Sequence, residues 1–230
     1  MEPIIYKPGA YKSPGIYKGA GGIYKCRGVY NDGSGGVIPP IPDEYELIEY
    51  IDIVQGGSKG IEVKFDSQKL LENNKNNIKV ELNVEMLKSN VGSTRCYIFY
   101  LRNSGSGSSV ALFRMRPSDK NLQGSNDNTG SVSATIANLN YDVNKIILNK
   151  NKITINENEY SISYSENTID TLLVGTYGAG TTAYQMKLYG LKIFSTNDEN
   201  IFNAVPVKRI LDSVNGMYDF ISGNFYINHQ

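Results

Sequence analysis

The sequence predicts an all-β fold, a sandwich of two sheets, and three observations support that prediction. About a dozen short segments either alternate apolar and polar residues or are rich in Val, Ile and Tyr, which is typical of strands. Turn residues, above all Asn and Gly, separate these segments at the regular spacing of two-sheet sandwiches. The composition agrees, because 17 Tyr and 23 Gly with no Trp favour strands and turns over helices.

Strand signals begin at Asp43 and are clearest where apolar residues occupy every second position. The segment from Ile78 to Met86 shows this best, with apolar side chains on one face and Lys, Glu and Asn on the other, and it predicts a half-buried strand. The polar segment from Pro117 to Gly130 is predicted to be irregular. The one helix candidate, Ser67 to Glu72, is short. Further strands are predicted around Tyr45–Ile53, Ile61–Phe65, Arg95–Arg102, Val110–Arg116, Val132–Leu139 and Thr168–Val174.

The segment from Ile146 to Tyr164 predicts two tight hairpins, because Asn-rich triplets interrupt its Ile- and Tyr-rich runs. These triplets are Asn149-Lys150-Asn151 and Asn156-Glu157-Asn158. A final stretch, Tyr184 to Asn228, predicts three strands and two turns. Here Asn215-Gly216 is a strong hairpin dipeptide, since both residues accept positive φ, and Gly223-Asn224 marks a second turn. Pro206 is predicted to interrupt the middle strand.

Residues 1–36 differ from the rest, because a Tyr-Lys motif recurs there with Pro-Gly or Gly-rich turns between the copies. The spacing is near six residues, far below that of a solenoid repeat. One interpretation is a flexible low-complexity tail. The other, which we favour because regular aromatic residues are unnecessary in a linker, is an arm that anchors or oligomerises the protein. Its candidate anchoring residues are Tyr6, Tyr11, Tyr17, Tyr24 and Tyr30. The Pro-rich segment 37–42 is predicted to be an extended linker to a domain spanning 43–230.

Charge and cysteine content limit the classes of function. Lys plus Arg and Asp plus Glu number 23 each, and this zero net charge argues against general nucleic-acid or membrane-surface binding. Cys26 and Cys96 form no CxxC motif, and two free thiols are favoured over a disulfide. No apolar run reaches the roughly 18 residues of a membrane span. With no signal-peptide pattern at the N-terminus, we expect assembly in a cytoplasm.

The last strands also carry a family resemblance. The segments LYGLKIF, NAVPVKR and VNGMYDFISGNFYIN, within residues 184–228, resemble the C-terminal signature of concanavalin-A-like (laminin-G-like) jelly-roll domains encoded by phages and prophages of gut bacteria. The segment YELIEYI, Tyr45 to Ile51, is similar to the usual opening of that family. The resemblance implies a jelly-roll sandwich over residues 43–230 with an extended N-terminal arm, in a tailed-phage setting. It implies no particular ligand, since one fold hosts many functions.

Catalytic and metal chemistry find little support in the sequence. Some jelly rolls cleave polysaccharides with two carboxylates on one strand, in a pattern such as E-I-D-I-x-E. The nearest match is Tyr50 to Gln55, where Tyr and Gln occupy both glutamate positions, so we interpret it as a core strand. His229 is the only histidine, which disfavours a triad or a His-based metal site. We predict no enzyme and no cofactor. A calcium ion in the 117–130 loop is a weaker alternative, because Gly130 replaces the expected twelfth-position Glu.

Sugar binding is the remaining candidate activity, because it pairs an aromatic platform with Asn and Asp side chains. The candidate glycan contacts are Tyr177, Tyr184, Asn126 and Asp127, all in or beside polar loops. The competing interpretation is that the tyrosines pack the sandwich edge and the others form turns.

Taken with the resemblance, these patterns predict a non-enzymatic structural protein of a tailed-phage virion: a head fibre, capsid decoration or tail accessory protein. We expect a homotrimer attached to capsid or tail proteins through residues 1–36. The lectin-like domain would be exposed on the virion surface, in contact with host or mucosal glycans. The alternatives are a free or cell-surface carbohydrate-binding module and, third, a glycoside hydrolase. Head or tail location, the glycan and the copy number stay open.

Overall fold

We describe a computed structural model of the chain. The structure describes residues 15–19, 22–26, 41–53, 60–64, 79–86, 96–102, 109–116, 121–125, 134–140, 142–149, 152–162, 171–175, 186–195 and 198–228. The chain divides into two units, Met1–Pro42 and Asp43–Gln230.

Every regular element in these ranges is a β-strand. The described residues therefore include no helix that is long and apolar enough to cross a membrane. The strands are β1 (Gly15–Gly19), β2 (Gly22–Cys26), β3 (Tyr45–Leu47), β4 (Ile51–Ile53), β5 (Ile61–Lys64), β6 (Lys79–Met86), β7 (Cys96–Arg102), β8 (Ser109–Arg116), β9 (Asn121–Ser125), β10 (Ala134–Asn138), β11 (Val143–Asn149), β12 (Lys152–Ile155), β13 (Asn158–Ser161), β14 (Thr171–Val174), β15 (Met186–Phe194), β16 (Asn200–Arg209), β17 (Asn215–Asp219) and β18 (Phe225–Ile227). The predicted helix at Ser67–Glu72 lies outside the described residues.

In the first unit, the described residues form one antiparallel pair. Strands β1 and β2 are two copies of the repeat, GIYKG and GIYKC, and Tyr17 lies directly opposite Tyr24 in the ladder. Two adjacent segments with similar sequences therefore pair with each other, and the equivalent tyrosines lie opposite one another.

The second unit contains two antiparallel sheets. The larger has the order β13-β12-β11-β6-β15-β16-β17-β18, with β3 added to β16 and β4 added to β15. The smaller has the order β10-β9-β8-β7-β14-β5. Together they confirm the predicted all-β class with antiparallel sheets.

One hydrophobic core joins the two sheets, as in a β-sandwich. Strand β6 alternates as predicted, with Val80, Leu82, Val84 and Met86 buried and the residues between them half-buried. The same cluster of buried side chains includes residues of the smaller sheet, namely Ile61, Val63, Ile98, Phe99, Leu101, Leu122, Leu172 and Val174. Burial of this apolar surface is the main source of stability for the described part of this unit. The face of the larger sheet that points away from this core is called the outer face below.

The hairpin prediction at Asn215-Gly216 is wrong. Both residues lie inside β17, and the turn falls at 210–214, where Ser213 takes the positive φ of 59°. Glycine is required at this position of the strand because an added Cβ would collide with the backbone carbonyl of Tyr226 and would lie 2.6 Å from the ring of Phe225. Its role is to allow close packing, not to permit a turn.

Side-chain hydrogen bonds that were not predicted from the sequence close this turn. Arg209 donates two hydrogen bonds to the carboxylate of Asp212, with its Nη2 2.6 Å from Oδ2, and the same carboxylate accepts from the amide of Val214 at 3.3 Å. The hydrogen bond from Arg209 lowers the pKa of Asp212 below its ordinary value. Ion pairing and capping therefore allow this turn to form without a glycine.

Two further predictions need correction. Pro206 does not interrupt its strand, since β16 continues through it and its carbonyl accepts a hydrogen bond from the amide of Ile48 at 3.2 Å. The segment predicted to be irregular, Pro117 to Gly130, contains β9, which pairs with β8 and β10 on its two edges and buries Leu122 completely. Backbone pairing on both edges stabilises a strand whose side chains are mostly polar. Part of the segment compared with a calcium loop is therefore a strand.

Candidate functional site

The candidate residues named from sequence fall mostly outside the described residues. Tyr17 and Tyr24 are described as backbone partners in β1 and β2. Those outside the described residues are Tyr6, Tyr11 and Tyr30 of the arm and Tyr177, Tyr184, Asn126 and Asp127 of the proposed glycan contacts.

The described part of the segment compared with the hydrolase pattern, residues 50–53, contains the core strand β4, as predicted. In β4, Ile51 and Ile53 are fully buried, while Asp52 between them is exposed on the outer face. Across the described ranges, no three His, Cys, Asp or Glu side chains come together in a way that could hold a metal ion.

The larger sheet divides where β4 begins, at Ile51, and this fork creates a distinctive place on the outer face. Along one edge of β15, residues 186–188 pair with β4, whereas residues 191–194 pair with β16. Strand β4 forms one branch of the fork, and β16 forms the other. Strand β3 pairs with residues 207–209 of β16, so residues 48–50 connect the two branches. Tyr50 therefore lies at the point where the two branches part.

A β-bulge in β15 lies beside this fork. The pairing of β15 with β6 passes from Leu188 opposite Val84 directly to Gly190 opposite Asn83, so Tyr189 is an extra residue in β15. Bulges bend a strand and redirect a side chain, and they are common next to functional sites. Here the bulge keeps Leu188 and Leu191 both in the core and leaves Tyr189 on the outer face.

Five side chains, which we call the fork cluster, meet there: Tyr50, Asp52, Glu85, Lys187 and Tyr189. In the sheet register, Lys187 lies between Glu85 on β6 and Asp52 on β4. The hydroxyl of Tyr189 donates to Oε2 of Glu85 at 2.5 Å, and Nζ of Lys187 lies 3.2 Å from the same oxygen. Nζ of Lys187 also lies 4.5 Å from the centre of the Tyr50 ring, a cation–π contact.

The two aromatic rings of the cluster form a corner. The ring centres of Tyr50 and Tyr189 are 5.5 Å apart and the planes are tilted by 58°. Both residues are half-buried, and the side chains of Lys187 and Glu85 keep 23% and 20% of their surface exposed. Solvent therefore reaches aromatic surface, a carboxylate and an ammonium in one place.

The charges of the cluster determine the protonation of its donors. A hydrogen bond to Glu85 raises the pKa of Lys187, so its amine is charged at neutral pH. Burial, followed by the hydrogen bond to Glu85, raises the pKa of Tyr189 well above 10.0, so its phenol remains a neutral donor. An ammonium and a hydroxyl both donate to the side chain of Glu85, which is therefore the hydrogen-bond acceptor of the cluster.

Sequence reasoning missed this cluster for a simple reason. Glu85 and Lys187 are separated by 102 residues, and only the register of β6 with β15 brings them together. The available signal was the polar face of the alternating strand 78–86, to which no role was assigned from the sequence. Tyr50 was noted only as a residue that fails the hydrolase pattern.

Comparisons of the chain with protein-family models, with curated proteins and with solved structures find no match. The resemblance of residues 45–51 and 184–228 to phage jelly-roll domains therefore stays a prediction.

Proposed function

We propose that this chain is a non-enzymatic structural protein of a tailed-phage particle, a head fibre, capsid decoration or tail accessory protein. Residues 1–36 attach it to capsid or tail proteins and assemble it as a trimer. The second unit, a jelly-roll sandwich, is exposed on the virion and contacts host or mucosal glycans. The phage setting is supported by the resemblance of residues 184–228, and a cytoplasm is the expected place of assembly.

The observation that carries this proposal is the division of the chain into a unit of repeats and a unit with a large core. The two repeat copies that are described, in β1 and β2, already pair with each other. A strand that pairs with its own repeat presents the same sequence to a neighbouring chain, and a two-stranded sheet has two edges on which further strands can be added.

The test is the mass in solution of the full chain and of a chain that begins at Pro42, measured by light scattering. We expect a trimer for the full chain and a monomer for the shorter one. A full chain with Tyr17→Ser and Tyr24→Ser is the matched control, because it keeps the length while removing two aromatic anchors. If the full chain is a monomer, residues 1–36 do not oligomerise it and this part of the proposal is wrong.

A free or cell-surface carbohydrate-binding module is the second candidate. The fork cluster favours it, because that cluster is built entirely from residues of the second unit. A full chain that binds glycans as a monomer, and that captures no virion protein, would support this function over the first.

A further inference from the structure

The fork cluster has more hydrogen-bonding groups than its internal contacts use. An ionised carboxylate has about four acceptor positions, and from the described part of the chain Glu85 receives only the hydroxyl of Tyr189 and the ammonium of Lys187. The two contacts from Lys187, at 3.4 and 3.2 Å, are long for charge-assisted hydrogen bonds. An incoming hydroxyl group can therefore donate to Glu85 or accept from Lys187 without breaking the bond to Tyr189.

Aromatic surface borders these groups on the same face. Ligand sites for small polar molecules combine apolar surface with a few convergent polar groups. The corner formed by Tyr50 and Tyr189 can hold the C–H surface of a ring, while Glu85 and Lys187 reach the hydroxyl groups on its edge. A pyranose sugar has both kinds of surface.

Charge narrows the class of ligand further. Among the described residues, the carboxylates of Glu85 and Asp52 act electrostatically on the ammonium of Lys187. Two negative charges against one positive charge leave a negative excess, which disfavours anionic ligands such as uronic acids, sialic acids and phosphates. Neutral sugars meet no such penalty.

A purely structural role explains only part of the arrangement. A ladder in which Lys187 lies between Glu85 and Asp52 would stabilise the sheet by itself, as cross-strand pairs do. The bulge keeps Leu188 and Leu191 in the core, but neither the ladder nor the core needs the hydroxyl of Tyr189. The extra residue adds a hydrogen-bond donor and a second ring at the fork, and both are features of a binding surface.

We infer that the fork cluster is a binding site for neutral glycans, with Tyr50 and Tyr189 contacting the sugar ring and Glu85 and Lys187 its hydroxyl groups. The inference deepens the glycan contact of the proposed function and rests on it. It differs from the contacts predicted from sequence, which lie at 126–127 and at residues 177 and 184.

The test is affinity gel electrophoresis of the full chain in gels that contain yeast mannan, barley β-glucan or guar galactomannan, with alginate as the anionic comparison. We expect at least one neutral polysaccharide to retard the chain and alginate to leave it unretarded. Glu85→Gln and Tyr50→Ala should each weaken the retardation at least tenfold in dissociation constant. The matched control is Glu159→Gln, which removes the carboxylate of another cross-strand Lys–Glu pair, Lys152–Glu159 at 2.7 Å, and should bind as the unchanged chain does.

Circular dichroism of each variant checks that it is folded. If Glu85→Gln does not fold, Tyr50→Ala still tests the site, because Tyr50 lies in the connection between β3 and β4. The inference is overturned if no neutral polysaccharide retards the chain, if only alginate does, or if Glu85→Gln and Tyr50→Ala bind as well as Glu159→Gln. Light scattering on the same samples measures the oligomeric state, and so tests the role of residues 1–36 separately from glycan binding. A trimer that binds no glycan contradicts the site and leaves the role of the arm intact.

Discussion

The carboxylate of Asp219 accepts a hydrogen bond from the backbone amide of Asn203 at 2.8 Å, and so ties the turn after β17 to the neighbouring strand β16. Asp219 is only 1% exposed, yet its oxygens are well satisfied. They also accept from the amides of Ile221 and Ser222 and, at 2.6 Å, from the hydroxyl of Ser222. One buried carboxylate thus organises the segment YDFISGN at the end of the chain.

Replacement of Asp219 by Ala should therefore be among the most damaging single changes in the second unit. Three amides and a hydroxyl lose their charged acceptor, and a hydrogen bond to a charged group contributes about 1.5–3 kcal/mol. We expect the free energy of unfolding to fall by about 3 kcal/mol or more, measured by urea denaturation. Ser222→Ala is the milder comparison, since it removes one hydroxyl and keeps the carboxylate. Equal stability of Asp219→Ala and Ser222→Ala would contradict the role given to the carboxylate.

Gly216 should tolerate no side chain. A Cβ at this position would collide with the carbonyl of Tyr226 and lie 2.6–2.7 Å from the ring of Phe225, which itself stacks on Tyr45 with ring centres 5.3 Å apart. We expect Gly216→Ala to destabilise the chain by about 1–3 kcal/mol, as overpacking does. The control is Gly190→Ala, whose added Cβ would meet only the carbonyl of Ala204 at 3.9 Å. If both variants melt at the same temperature, the close packing at Gly216 is not what requires glycine.

Asn144 should be essential to the hairpins formed by β11, β12 and β13. Its side chain is fully buried, donates to the carbonyls of Asn140 and Asp142 at 2.9 and 2.7 Å, and accepts from the side chain of Asn156 at 3.0 Å. We expect Asn144→Ala to cost about 2 kcal/mol or more, because buried polar groups lose their partners. The same change at the exposed Asn158 should cost less than about 0.5 kcal/mol. Thermal denaturation compares the two, and the prediction fails if the Asn158 variant is the less stable one.

Tyr189 should make stability sensitive to alkaline pH. Folding raises its pKa above the ordinary value of 10.0, because burial and the hydrogen bond to Glu85 favour the protonated phenol. A raised pKa contributes stability that is complete below the unfolded pKa and is lost as pH rises through the folded one. The stability advantage of the unchanged chain over Tyr189→Phe should therefore stay constant from pH 7 to about 9 and shrink above about pH 10.

Denaturant unfolding at a series of pH values measures this advantage. Glu85→Gln tests the cause, because loss of the charged acceptor should reduce the alkaline loss of stability. Parallel pH profiles for the unchanged chain and Tyr189→Phe would show that Tyr189 does not have the environment described.

The parts of the fold that could be predicted are those governed by neighbouring residues. Alternation along 78–86 correctly predicted which face of β6 is buried, because side chains on a strand point to opposite faces in turn. The triplet Asn156-Glu157-Asn158 correctly predicted a tight turn, and Asn156 and Glu157 take positive φ values of 48° and 75°. Gly223, with φ at 72°, confirms the second turn in the last stretch.

The failures share one cause, which is that the deciding partner lies far away along the chain or in another strand. Gly216 looked like a turn residue because the dipeptide with Asn215 suits a hairpin, but the carbonyl of Tyr226 and the ring of Phe225 on the neighbouring strand are the reason for glycine. Strand β9 looked irregular because its side chains are polar, but pairing with β8 and β10 stabilises it. Local chemistry limits what a segment can become, and pairing decides among the alternatives.

The sequence alone thus determined the all-β class, the inward face of its most regular strand and two of its tight turns, since these depend on side-chain period and local φ preferences. Tertiary structure alone decided that Tyr50, Asp52, Glu85, Lys187 and Tyr189 share one site. Three strands must pair in a single register, with a bulge at Tyr189, before these side chains meet. That register is set by burial of the opposite, apolar face in the core, so the site on the outer face follows from how the core packs.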